Sequence, residues 1–198
     1  MKLSLRQFIT KINSLNYGKN TLTSVGHEDN LEKLFIDLGL QKLEKTKTKL
    51  QLQSQFNFSF IKHPNGTQNT PDFRVNINNK IINIECKSCQ SKYKPMWNAS
   101  YPSEDTIYIY TNKKDNKTII FLGTEIVQPK VKKILEEYKL LNKKLHNEIN
   151  KKLNDLLNEE NPYRMNVYAR NMFVQTKNLN NRLVDIEQYK ETLLSTLI

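Results

Sequence analysis

Glycine is scarce in this 198-residue chain, at five residues, and no glycine-rich phosphate loop of the Walker type can be assembled from them. Cysteine is scarcer. Cys86 and Cys89 form a single Cys-x-x-Cys, without the second pair or nearby histidine that would complete a tetrahedral zinc site. If one strand runs through both, they point to opposite faces, so Cys86 is read as a core residue and Cys89 is unassigned. No apolar run approaches the length needed to span a bilayer, which argues against a membrane partner. The first residues, Met-Lys-Leu-Ser-Leu-Arg-Gln-Phe-Ile, lack the continuous apolar core of a secretion signal, and a cytoplasmic site of action is expected. No internal repeat and no serine-histidine-aspartate spacing stands out.

Acidic residues are also in the minority: 20 Asp and Glu face 31 Lys and Arg, for a formal charge of +11. Such a balance favours polyanions, because each lysine or arginine placed near a phosphate releases condensed counterions. Nucleic acid is the leading partner. The length fits one domain over residues 1–198, large enough to bury a core without staples.

The most informative stretch runs from Thr70 to Cys89. Apolar residues alternate at Phe73, Val75 and Ile77, an Asn78-Asn79 pair tolerates the positive φ of a tight turn, and alternation resumes at Ile82, Ile84 and Cys86. With the asparagines as loop residues, Val75 faces Ile82, Phe73 faces Ile84 and Asp72 lies opposite Glu85. Period-two alternation then puts Asp72, Glu85 and Lys87 on one face and the apolar set on the other. Two carboxylates opposed across a strand pair repel unless a cation sits between them. Hard oxygen donors suit Mg²⁺, and a lysine beside them can orient or activate a water and offset charge on a phosphate.

Pro71-Asp72 followed by Glu85-Cys86-Lys87 resembles the Pro-Asp…(Asp/Glu)-x-Lys signature of the restriction-endonuclease-like nucleases. The resemblance covers roughly the first 125 residues and implies an α/β fold, a central mixed β-sheet flanked by helices. It implies Asp72, Glu85 and Lys87 as catalytic residues, with one or two Mg²⁺ ions held by Asp72, Glu85 and the Cys86 carbonyl. Nucleases of this kind commonly add an acidic residue from a helix before the sheet. Glu28 matches that role best and Glu32 is the runner-up; the alternative for Glu28 is a first-turn glutamate complementing the helix dipole.

In chain order, residues 5–15 carry the apolar spacing of an amphipathic helix, and a second helix is expected from Gly26 or His27 to Leu38, stopped by Gly39. Lys42–Lys49 reads as an exposed strand edge or loop. Gln51–Phe60 reads as a strand with Phe56, Phe58 and Phe60 on one core-facing side, a base-stacking platform being the lesser alternative. In the loop that follows, His63, Asn65, Gln68 and Asn69 are candidates for bonds to phosphates or base edges. The link from Gln90 to Tyr101 is expected to be irregular or partly helical. Lys92, Lys94, Trp97, Asn98 and Tyr101 are its candidate DNA contacts, with Trp97 as a core lid the competing reading.

Strands are expected at Thr106–Thr111 and Thr118–Leu122, and a helix start at Thr124-Glu125. From Gln128 to Asn158 a long helix carries Val131, Ile134, Tyr138, Leu141, Leu145 and Ile149 as part of one seam, with lysines on its exposed face. Val167–Val174 reads as a strand and Asp185–Leu197 as a closing helix. Residues 1–125 thus form the catalytic core, and 126–198 an extension for dimerisation or DNA contact.

The resemblance implies a Mg²⁺-dependent endonuclease that cuts double-stranded DNA and leaves 5′-phosphate and 3′-hydroxyl ends. The absence of helicase or nucleotide motifs points to a type II restriction endonuclease, a homodimer with a companion DNA methyltransferase. A structure-specific or repair nuclease of the same fold, and a non-catalytic basic DNA-binding protein, are the alternatives.

Overall fold

The computed structural model describes residues 4–13, 24–46, 49, 52, 55–67, 69–89, 96–98, 101–112, 117–156, 165–168 and 172–174. Two helices come first. In α1 (Leu5–Asn13) the start is fixed by a reciprocal capping box: the Gln7 N–H donates to Ser4 Oγ at 3.1 Å, and the Ser4 N–H to Gln7 Oε1 at 2.9 Å. Its apolar stripe, Phe8, Ile9 and Ile12, is buried. In α2 (Ser24–Asp37) the stripe is Leu31 and Phe35, and the helix stops where Gly39 was expected to stop it. Gly39 has φ +83°, its N–H reaches Ile36 O, and the Leu40 N–H reaches Phe35 O, both at 2.9 Å. This is a Schellman termination, open to glycine because of the positive φ.

Strands β1 (Gln41–Leu43), β2 (Ser59–Lys62), β3 (Phe73–Ile77), β4 (Lys80–Cys89), β6 (Thr106–Asn112) and β7 (Lys117–Leu122) form one six-stranded sheet in that order. It is mixed: β1 with β2 and β4 with β6 are parallel, the other neighbours antiparallel. The β3–β4 hairpin is at its middle. A second, two-stranded sheet pairs β5 (Met96–Asn98) with β8 (Met172–Val174). The short α3 (Gly123–Ile126) follows β7, and the long α4 (Pro129–Asp155) begins with proline at its first turn, where the missing N–H costs no helical bond. Gly123 is required by a close approach, since a Cβ there would lie 1.8 Å from Ser103 O.

The two sheet faces bury different chemistry. One packs Ile and Val from β3, β4, β6 and β7 against α1 and α2. Phe35 is its hub, with ring centroids 5.3 Å from Phe8, 5.3 Å from Phe60 and 5.2 Å from Phe73. The other face is aromatic: Tyr108 stacks on Phe121 at 5.4 Å and meets Trp97 edge-on at 5.0 Å.

Three expectations change. The Gln51–Phe60 strand shrinks to Ser59–Lys62, because Phe58 has φ +56°, which breaks strand geometry just before β2; Phe60 alone of the three phenylalanines is fully buried. The upstream backbone is held instead by the Asn76 amide, which donates to Leu52 O and Phe56 O. Met96–Asn98, expected in an irregular or helical link, is a strand because Met172–Val174 pairs with it. Of the strand expected over Val167–Val174, the described residues 172–174 are extended, and Val167 instead exchanges two backbone bonds with the Asn150 side chain. The Asp185–Leu197 helix lies outside the described residues. Among the described residues no helix is long and apolar enough to cross a membrane.

Phe35→Ala is expected to cost about 3–5 kcal/mol, since it empties the centre of the ring cluster. Ile36→Ala, at a position 52 % exposed, should stay within about 0.5 kcal/mol. Urea unfolding of the two variants measures the contrast.

Candidate metal centre

Asn78 and Asn79 both hold left-handed φ, 53° and 64°, and the turn they make sets Phe73 opposite Ile84 and Val75 opposite Ile82. Asp72 stands one residue beyond the last rung. Its Oδ2 accepts the Cys86 N–H at 2.7 Å, while its carbonyl accepts the His63 N–H at 2.6 Å. It therefore ties β4 on one side to the end of β2 on the other. Glu85 is buried, 4 % exposed. Its Oε1 accepts from Lys87 Nζ at 2.7 Å, and its Oε2 has no hydrogen-bond partner among the described residues. Lys87 Nζ also lies 5.6 Å from the centroid of the Trp97 ring.

A third carboxylate comes from α2. Glu28 Oε2 lies 3.1 Å from His63 Nε2, and His63 Nδ1 lies 4.0 Å from Asp72 Oδ1. One potential ligand atom from each of Glu28, His63 and Asp72 falls within 4.8 Å of the other two. Glu32, one helical turn on, is engaged elsewhere: it pairs with Lys42 and, at 3.0 Å, with Lys62, which also holds Asp29 at 2.7 Å. Of the two helix carboxylates, Glu28 is the one brought to Asp72.

Burial dominates the electrostatics. It pushes Asp72 up to about 6; the Cys86 N–H opposes the shift, the nearby Glu28 charge adds to it and Lys87 counters it. Glu85 is raised by burial, lowered by Lys87 and raised again by Asp72. Glu28 is raised by burial, with Lys62 opposing. Each carboxylate is held in a place that disfavours its own charge, and each makes ionisation of its neighbours harder. A dication would reverse both effects. The orphaned, buried Oε2 of Glu85 beside Asp72 is an oxygen donor set that fits such an ion. The Cys86 carbonyl, at the same level of β4, was expected to help; the Cys86 side chain is half-buried and packs against the main core, as expected.

His63, one of several candidates for a DNA contact, faces Glu28 and Asp72. Its φ of +49° ends β2 and turns the chain into the loop, whose Gly66 N–H closes on His63 O at 3.0 Å. The sequence signal for this position is its place at the end of a strand that leads through a short loop to Pro71-Asp72. The Thr70–Pro71 peptide is cis.

The expected DNA contacts fare unevenly. Trp97 is corrected to a core residue, 3 % exposed, because β5 folds it against Tyr108 and Phe121. Tyr101 is half-buried and serves packing: its hydroxyl donates to Glu136 Oε1 at 2.9 Å and its ring meets Phe173 edge-on. Asn69 is exposed, its amide donating to Asn65 O at 2.9 Å. Asn98 lies in β5. Gln68, Lys92 and Lys94 lie outside the described residues. Lys42, Lys45 and Lys62, not anticipated as DNA contacts, line with His63 a cleft of about 550 Å³.

No protein-family model, curated protein or solved structure matches this chain significantly.

The folded protein raises the Asp72 pKa, so it binds that proton more tightly than the unfolded chain does. The ionised Asp72 thus costs stability above about pH 6, and the cost fades as the pH falls toward the ordinary carboxylate range. In chelator, Asp72→Asn is expected to melt above the parent at about pH 8, with the gap closing toward about pH 4. Thermal unfolding of both proteins across that range measures it.

Proposed function

We propose that this protein is a Mg²⁺-dependent endonuclease of the restriction-endonuclease-like class, acting on double-stranded DNA at a specific short sequence. The observation that carries this reading is the convergence of Asp72, Glu85 and Lys87 at one end of the central hairpin, with an unpartnered buried carboxylate oxygen among them. A bound Mg²⁺ would polarise the scissile phosphate and the attacking water. Asp72 and Glu85 supply its oxygen ligands, with the Cys86 carbonyl beside them. Lys87, held by Glu85, donates to the water and offsets charge developing on the phosphate. The water oxygen bonds to phosphorus as the bond to the 3′ oxygen breaks. That oxygen leaves with a proton as a 3′-hydroxyl, and the 5′ end keeps the phosphate. The excess of basic residues supports a polyanionic substrate.

A homodimer fits the same reading, since a symmetric duplex site needs two centres. What supports it is α4, none of whose residues is buried. Among the described residues, Ile134, Leu141 and Leu145 of its apolar seam are 54–66 % exposed. Leu141→Glu combined with Leu145→Glu should shift the protein to monomer in sedimentation equilibrium; an unchanged mass would remove this interface.

For the activity, plasmid DNA incubated with the protein and Mg²⁺ should give discrete fragments, and chelation should stop the reaction. Asp72→Ala, Glu85→Ala and Lys87→Ala should each reduce cleavage by at least about a thousandfold, with circular dichroism unchanged. Full activity in any one of the three, or binding of DNA without any cutting, rejects the assignment.

A further inference from the structure

The imidazole of His63 is held in one tautomer by its neighbours. Glu28 Oε2 lies 3.1 Å from Nε2, and a carboxylate offers only acceptors, so the proton of the neutral ring sits on Nε2. Nδ1 then carries a bare lone pair. It is buried, has no hydrogen-bond partner among the described residues, and faces Asp72 Oδ1 at 4.0 Å. Two electron-rich atoms meet across a gap too long for a hydrogen bond. The gap is the span of two ligands each about 2.1 Å from one ion. Asp72 has its other oxygen committed to the Cys86 N–H, and Glu85 has its other oxygen committed to Lys87. Glu85, 4 % exposed, also keeps an unsatisfied Oε2.

An all-oxygen donor set suits Mg²⁺. A nitrogen added to it suits first-row transition dications better, because imidazole binds them more strongly than it binds Mg²⁺. A histidine that ligates such a metal through one nitrogen commonly gives its other N–H to a carboxylate, which fixes the ring. Glu28 stands in that relation to His63. We infer that His63 Nδ1 is a metal ligand alongside Asp72, that the centre prefers a first-row transition dication such as Mn²⁺ over Mg²⁺, and that Glu28 is a positioning residue for the imidazole, not a direct ligand. This rests on the reading of Asp72 and Glu85 as metal ligands.

Metal binding tests it without DNA or turnover. The full chain is titrated with Mn²⁺ and with Mg²⁺ by calorimetry, and the Mn²⁺ form is examined by pulsed electron paramagnetic resonance for coupling to a directly bound ¹⁴N. The inference expects Mn²⁺ to bind at least about tenfold more tightly than Mg²⁺, with a nitrogen coupling that His63→Ala removes. Glu28→Ala should weaken Mn²⁺ by about tenfold while the nitrogen coupling persists, as for an outer partner of a ligand. A parent protein without nitrogen coupling, or a coupling that survives His63→Ala, overturns the inference. If Asp72→Asn still abolishes binding in that case, the nuclease reading stands without it. Mn²⁺ binding unaffected by Asp72→Asn overturns both.

Discussion

Asp72 lies beside Glu85 because the Asn78-Asn79 turn permits one register, and everything else about the centre follows from that constraint. With two left-handed residues in the loop, each β3 residue has a fixed partner on β4. A slip of one residue would turn Phe73, Val75 and Ile77 out of the core and bring the polar set in, so the buried face enforces the register as firmly as the turn does. The carboxylates stay where they are because moving them would unpack the sheet.

That position is electrostatically unfavourable in the absence of a cation. Glu28, Asp72 and Glu85 are all shifted upward by burial, and within the hairpin Lys87 and hydrogen bonds from Cys86 and the Asp72 backbone oppose the shifts of Asp72 and Glu85 without cancelling them. A chain selected for stability alone would place apolar or neutral residues there. Unfavourable charge retained at one end of an otherwise consistent core marks a site whose purpose lies outside folding. The ion pairs of Lys62 with Asp29 and Glu32 set each carboxylate against an ammonium, and carry no such implication.

The hairpin was legible in the sequence because period-two alternation, the asparagine pair and the charged triad agree on one geometry. The Gly39 stop and the length of α4 were legible for similar local reasons. What could not be read was decided by distant partners. Trp97 looks like a stacking residue beside lysines until Met172–Val174 pairs with its strand and closes the aromatic layer over it. Glu28 and Glu32 are one turn apart on the same helix, and their local pattern ranks Glu28 first without showing what holds Glu32 away. Lys42 and Lys62 do so, by drawing Glu32 outward. The contact of His63 with Glu28 joins positions 35 apart in the chain, which no local pattern shows.

These distant pieces meet through the aromatic core. Glu28 precedes Phe35 on α2 by about two helical turns. His63 follows closely after Phe60 at the end of β2, and Asp72 immediately precedes Phe73 at the start of β3. The three rings touch one another, Phe35 with Phe60 and with Phe73, and Phe60 with Phe73 at 6.2 Å. Each polar residue of the Glu28, His63 and Asp72 group is thus carried on a segment anchored by one ring of a single close-packed trio. Interiors packed at this density tolerate little independent movement of their parts. Distances among the three polar residues are therefore set below the site, in the apolar contacts, and the angle between α2 and the hairpin is the variable on which metal affinity would depend most steeply.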